Sequence, residues 1–227
     1  MAERASRGTV VFDIIGTCFS LSQVADALSR AGAPPHALPL WFARSLRDGF
    51  ALSHAGGYQP LKAVLEAELA RTLRQLQVAA TPEQVGQITG SFGQLEPQPG
   101  FSELVAELAG DGWRILALTN SSSEATKGLL ERAGALQHFS ALLSCDQVQK
   151  TKPHPDVYEL ARREAQGDVW MVAAHAWDIQ GAIRAGFRTI FISDLEGGYL
   201  EVYPEPDVTV ARLSEVGSAL RAAAAVR

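Results

Sequence analysis

The chain has 227 residues, 47% hydrophobic and 20% charged, which suits one α/β domain with an insertion or a large domain plus a small one. A formal net charge of −5 gives no electrostatic reason to expect nucleic acid or an anionic membrane as partner. No run approaches the roughly 18 apolar residues that span a bilayer, Met1–Gly8 is too polar for a secretory signal, and Cys18 and Cys145 lie outside any CxxC or Cys/His cluster, so a reducing, cytoplasmic location is expected.

In chain order, the apolar run Thr9–Phe12 predicts a strand closed by Asp13 and the turn Ile14-Ile15-Gly16-Thr17. No second strand follows closely. Helical patterns instead cover Ser20–Ala31, His36–His54, Leu61–Val78 and Thr81–Phe92, punctuated by Pro34, Pro35, Gly56, Gly57, Pro60 and Pro82. Pro97, Pro99 and Gly100 mark the return to an α/β body. From there helices are predicted over Phe101–Gly110, Ser123–Ala133, Pro155–Ala165, Asp178–Ala185 and Leu213–Ala225. Between them lie the strands Ile115–Leu118, Ala141–Ser144, Val169–Ala173, Thr189–Ile192 and Val208–Val210. Ser123 reads as a helix start, Gly134 and Gly186 as stops, and the alanine-rich Ala222–Val226 as a fraying end. Continuous apolar strands alternating with helices predict a Rossmann-like parallel sheet with helices on both faces, plus a helical cap inserted after the first strand. The expected division is a core domain of residues 1–17 and 98–227 and a cap of residues 18–97.

Ligands of such sheets bind at the carboxyl ends of the strands, which singles out Asp13, Thr119-Asn120, Cys145-Asp146 and Ala174–Asp178. Taken singly, each has a plain explanation. An Asp caps a turn, Ser and Thr cap helices, a lone lysine is a solvated charge, and an acid is favoured in a first helical turn. Their order along one α/β body is much more specific. On Phe12-Asp13-Ile14-Ile15-Gly16-Thr17, Leu118-Thr119-Asn120, Lys152-Pro153 with Val157-Tyr158-Glu159-Leu160, and Ala176-Trp177-Asp178, the chain resembles the haloacid dehalogenase superfamily and, within it, the type II 2-haloacid dehalogenases. The likeness runs from about residue 9 to 212.

The resemblance implies a hydrolase in which Asp13 attacks a halogen-bearing carbon and forms an ester that water then cleaves. Lys152 would keep Asp13 ionised. Thr17, Thr119 and loop amides would position Asp13 and stabilise an oxyanion. Asn120 and amides near Ser121 would receive the substrate carboxylate, and Asp178 would orient or activate the water. Tyr158 matches the family or packs on a helix face, and Trp177 lines an apolar pocket or the core.

Physical chemistry separates the branches of the superfamily. Its phosphatases carry a second Asp two residues after the nucleophile and an acidic Mg²⁺ ligand in the fourth motif; here those positions hold Ile15 and Ala174. A halide leaves without needing a proton or a metal, so no cofactor and no metal site are expected, with Mg²⁺ entering only under a phosphatase alternative. A third reading is a catalytically silent binding protein on this fold. Several positions depart from the dehalogenases. Trp41 is followed by Phe42 where they have an Arg, and Arg44 and Arg47 project about 200° and 140° away around a helix. Ile15 replaces a Tyr, while Ala173 or Ala174 and His175 replace a Ser and an Asn. His175 is read as a neutral histidine satisfying a loop hydrogen bond, with a general base as the other reading. Cys18 is read as packing. The expected partner is a small carboxylic acid substrate, and the resemblance leaves a homodimer open.

Overall fold

The computed structural model describes residues 7–225. Residues 1–6 of the N-terminal segment read as too polar for a signal, Val226 of the alanine-rich tail, and residue 227 lie outside the described residues.

Six parallel strands form one sheet in the order β3-β2-β1-β4-β5-β6. They are β1 (Thr9–Phe12), β2 (Arg114–Thr119), β3 (Ala141–Ser144), β4 (Val169–Ala173), β5 (Arg188–Ile192) and β6 (Val208–Val210). β1 is central, with Thr9 opposite Arg114 on one side and Val169 on the other. A strand between two neighbours and two helical layers has no wet face, which is why its residues are all apolar or β-branched and all buried. Alternation sends Val10 and Phe12 to one layer and Val11 to the other. The first layer receives Phe101 and Leu104 of α5 (Phe101–Gly110), Leu129 and Leu130 of α6 (Ser123–Arg132), and Val216 and Leu220 of α9 (Val216–Ala225). The second receives Val157, Tyr158 and Ala161 of α7 (Pro155–Glu164), and Ile179 and Ala182 of α8 (Ala176–Arg184).

Between β1 and α5 the chain forms four α-helices: α1 (Ser22–Arg30), α2 (Ala37–His54), α3 (Leu61–Gln75) and α4 (Pro82–Gly90). Trp41 anchors this insertion. It is fully buried, donates its indole N–H to the Leu65 carbonyl at 2.9 Å, and meets Phe92 edge-on at 5.7 Å. Residues of all four helices, among them Leu28, Trp41, Leu69 and Ile88, belong to the apolar cluster that also holds Phe12 and Phe101, so the insertion packs on the body.

The parallel sheet and the helical insertion match the expected architecture, with four local corrections. α6 is capped by Ser122, whose hydroxyl accepts the Ala125 N–H at 3.1 Å, while Ser123 donates to the Leu142 carbonyl instead. α8 begins at Ala176 rather than Asp178, because the carboxylate of Glu196 accepts the Ala176 N–H at 2.9 Å. α3 stops at Gln75 rather than at Val78, where Gln77 takes a left-handed φ of 57°. The last predicted helix opens with a 3₁₀ turn, Leu213–Glu215, before α9. No helix among the described residues is long and apolar enough to cross a membrane.

Candidate active site

The chain lays down β1, β2 and β3 outward in one direction, then returns to place β4 on the other side of β1. That reversal opens a crevice at the carboxyl ends of β1 and β4, the place where open α/β sheets bind ligands. Asp13 stands at this point. Its N–H continues the ladder to the Val172 carbonyl at 3.0 Å, so backbone pairing fixes where its side chain emerges.

Two groups hold the Asp13 carboxylate, and a third its backbone carbonyl. Lys152 Nζ donates to Oδ1 at 2.8 Å and Thr17 Oγ1 donates to Oδ2 at 2.6 Å, while Thr17 Oγ1 also accepts the Ala174 N–H at 2.9 Å. Cys18 Sγ donates to the Asp13 carbonyl at 3.1 Å, and burial pushes its thiol well above the usual range, so it stays neutral. Burial pushes the Asp13 carboxyl up, but the charges of Lys152 and His175 and the Lys152 and Thr17 hydrogen bonds outweigh it and hold Asp13 below the ordinary carboxylate range.

Lys152 is completely buried, and each ammonium hydrogen has an acceptor: Asp13 Oδ1, Asp178 Oδ2 at 2.6 Å and the Leu118 carbonyl at 2.9 Å. Burial works against its charge, but the two carboxylates more than compensate and raise its pKa. Asp178 is fully buried too, and its other oxygen accepts the Tyr158 hydroxyl at 2.6 Å. Burial, and Asp13 in lesser measure, raise the Asp178 carboxyl against the pull of Lys152. Gly181 makes the Tyr158 contact possible, since a Cβ there would run into the tyrosine ring and hydroxyl.

Asp178, expected to orient or activate the water, is not among the residues lining the small cavity at Asp13, and each of its oxygens has a donor, Lys152 or Tyr158. Thr119 is redirected as well, its hydroxyl accepting the Ser121 N–H at 3.0 Å and shaping the loop, while its residue still lines the cavity. Asn120 lines the cavity, and its Oδ1 accepts the Lys152 backbone N–H at 2.9 Å and the Cys145 thiol at 2.8 Å, which fixes the orientation of the amide.

His175 lies between two oxygen groups. Its Nδ1 lies 3.2 Å from Glu196 Oε1 and its Nε2 lies 3.3 Å from the Ile15 carbonyl. Two oxygen acceptors, one on each ring nitrogen, suit the imidazolium and not the neutral ring. Burial opposes the charge, but the Glu196 hydrogen bond and the charges of Asp13, Glu196 and Asp178 raise the pKa. Gly16, at φ +86°, leaves room for the ring; a Cβ there would sit 2.8 Å from Nε2. The imidazole stacks on Trp177 at 5.3 Å with an interplanar angle of 15°, and Phe42 stands 6.1 Å from it. Trp177 and Phe42 are only partly buried and line the cavity wall facing Asp13. Arg44 pairs with Glu68 at 3.8 Å and Arg47 with Asp48 at 2.8 Å, so neither takes the place of a guanidinium at position 42. Among the described residues no group of three or more His, Cys, Asp or Glu side chains is placed to hold a metal.

Sequence reasoning missed Glu196, the Cys145–Asn120 contact and the Tyr58–Asp146 hydrogen bond of 2.5 Å. Each pairs residues at least 20 positions apart, and no local pattern announces such contacts.

The family model for haloacid dehalogenase-like hydrolases matches residues 8–186. The (S)-2-haloacid dehalogenase of Xanthobacter autotrophicus is 29% identical over 191 residues, covering 82% of this chain and 75% of that protein. Haloacetate dehalogenase H-2 of Moraxella sp. (strain B) is 26% identical over 207 residues, covering 88% and 92%. The solved structure of the L-2-haloacid dehalogenase from Xanthobacter autotrophicus superposes with a TM-score of 0.84 at 25% identity, covering 94% of this chain and 98% of that one.

Proposed function

Because the chain belongs to the haloacid dehalogenase-like hydrolase family, we propose that it hydrolyses the carbon–halogen bond of a 2-halocarboxylic acid through an ester of Asp13, without a metal. The observation that carries this reading is the buried Lys152 ammonium, 2.8 Å from Asp13 and 2.6 Å from Asp178. A carboxylate that attacks carbon and expels a halide needs only to stay ionised and aimed. One that attacks a phosphate anion also needs cationic screening by a metal and a proton for the leaving alkoxide. Here Lys152 supplies positive charge directly to both carboxylates, Ala174 offers no ligand, and Ile15 offers no proton.

In the first step an Asp13 oxygen forms the C–O bond as the C–X bond breaks, and the halide leaves with the bonding pair. Whichever oxygen attacks, the other keeps a donor, Lys152 or Thr17, which polarises the ester carbonyl. Water then adds at that carbonyl and the Asp13 carboxylate is released. One water proton ends on the hydroxyl of the 2-hydroxy acid, and the other is lost to solvent. Asn120 Nδ2, beside the start of α6, receives the substrate carboxylate. Lys152 and Asp178 act as positioning residues behind Asp13, and residues 18–97 serve as the cap over it.

Halide release from 2-chloro- and 2-bromoacids in the presence of chelator tests the proposal. Turnover unaffected by chelator is expected. Phosphate release from esters that depends on added Mg²⁺ would replace this reading with a phosphatase, and no turnover of either class would make the protein a silent binder.

A further inference from the structure

The cavity at Asp13 has a volume of only about 10 Å³, room for about one water molecule. Even a haloacetate cannot enter until part of the wall moves. That wall consists of Phe42, Leu46, His175 and Trp177, and the same four residues line a much larger apolar groove of about 640 Å³. They are therefore a partition between two spaces. The groove is within the usual range of small-molecule sites, about 300–1,000 Å³. It is bounded on its far side by Ala43 and Leu195 and is open to solvent there.

Phe42 is the element of the partition free to yield. His175 is tied to Glu196 and Ile15, Trp177 stacks on His175 and meets Phe50 edge-on at 5.2 Å, and Leu46 is buried. Phe42 is only partly buried, and its ring has no hydrogen bond to lose. Swung outward, it joins the small cavity to the groove and leaves one continuous trough with Asp13, Thr119 and Asn120 at its closed end. A guanidinium at this position would close the trough with a charge that needs an anion; a phenyl ring lines it with apolar surface.

We infer that the groove beyond Phe42 is the subsite for an extended apolar tail, so that the substrates are 2-halocarboxylic acids with a medium-length alkyl or aryl chain rather than two- or three-carbon haloacids. The carboxylate and the halogen-bearing carbon sit at the Asp13 end, and the tail runs past Phe42 and Trp177 toward Leu195. This rests on the dehalogenase reading for the chemistry, but not for the binding.

The test separates the two. Halide release is measured for (S)-2-bromopropanoate and (S)-2-bromooctanoate, and binding is measured by calorimetry for unhalogenated propanoate and octanoate. Each fully buried methylene is worth about fourfold in affinity. Over five methylenes, with half that effect in a groove open on one side, the longer acid should be favoured about thirtyfold in kcat/KM, expressed in KM, and about thirtyfold in Kd. Ala43→Trp, which fills the outer groove, should bring both ratios close to one. Halide release at equal kcat/KM for the two acids would overturn the inference and leave the dehalogenase reading standing. Thirtyfold tighter octanoate binding, lost in Ala43→Trp, with no halide from either acid would overturn the reaction and leave the subsite. Ratios near one together with a change of oligomeric state in Ala43→Trp would assign the groove to a second copy of this chain, and the inference would fall.

Discussion

The floor and the wall of the candidate site are built on opposite principles. On the floor, Asp13, Lys152 and Asp178 are buried charges in which every ammonium proton and both carboxylates have partners between 2.6 and 2.9 Å. The wall is a set of rings, Phe42, His175 and Trp177, held by stacking and by one ion pair at its edge. A buried charge network fails as a unit when one member is removed, whereas an apolar wall tolerates exchange at modest cost. Departures from the dehalogenase pattern fall at Phe42, Ile15 and His175, which line the cavity, and at Ala173 or Ala174, while Asp13, Lys152 and Asp178 match it. On the proposed reading, the chemistry resides in the floor and substrate choice in the wall.

The strongest attempt to break this division is Asp13→Asn. An amide cannot form the ester, so turnover should fall by at least about four orders of magnitude with the fold retained by circular dichroism. A single turnover in ¹⁸O-water with enzyme in excess should place the label in the Asp13 carboxylate; label in the first product would reduce Asp13 to a base. Lys152→Met comes next. Stranding two buried carboxylates without their cation should cost about 3–5 kcal/mol at pH 7, read from denaturant midpoints. The deficit should shrink on acidification, because protonation removes the stranded charges. An unchanged midpoint would mean that the floor is not a coupled unit.

The wall should respond less. Phe42→Arg provides a charge-assisted hydrogen bond for a carboxylate or halide, worth about 1.5–3 kcal/mol, and should raise turnover of 2-chloropropanoate by about one to two decades. A fall instead would show that the apolar surface itself binds these acids. The smallest effect is expected from Glu196→Gln. The folded pKa of His175 lies above its ordinary value, so the ion pair contributes stability that is fully present below about pH 6.5 and is lost as pH rises through the folded pKa. Removing the Glu196 charge should lower the His175 titration midpoint, followed by NMR, with a stability change under about 1 kcal/mol because Glu196 is 31% exposed. A midpoint that does not move would assign the raised pKa to Asp13 and Asp178 alone.

What the sequence disclosed follows the same boundary. Thr9–Phe12, Ala141–Ser144 and Val169–Ala173 are legible to the residue, because a strand buried on both faces must be a short unbroken apolar run. The insertion is legible from helical periodicity, and Asp13, Thr17 and Lys152 from their order on the body. The start of α8 was misplaced because its cap, Glu196, is 20 residues away. The partners of His175 are out of reach of local pattern for the same reason, since they come from the first loop and from the segment after β5. Asp178 is legible as a site residue from its place after β4, but its hydrogen bonds to Tyr158 and Lys152 depend on packing that only the structure reveals.

The position of β1 carries a consequence for the order of assembly. This strand is made before its neighbours, which pair it with residues more than 100 positions downstream, and the ammonium that meets Asp13 is 139 positions away. Contacts so distant in the chain form slowly, because loop closure must precede them. A ribosome-bound chain that has exposed residues 1–150 has the nucleophile and the helical insertion but neither Lys152 nor β4. The reactive carboxylate thus gains its poise only when the second half of the chain arrives, and a nascent or truncated polypeptide carries an Asp13 without the ammonium that holds it ionised once buried.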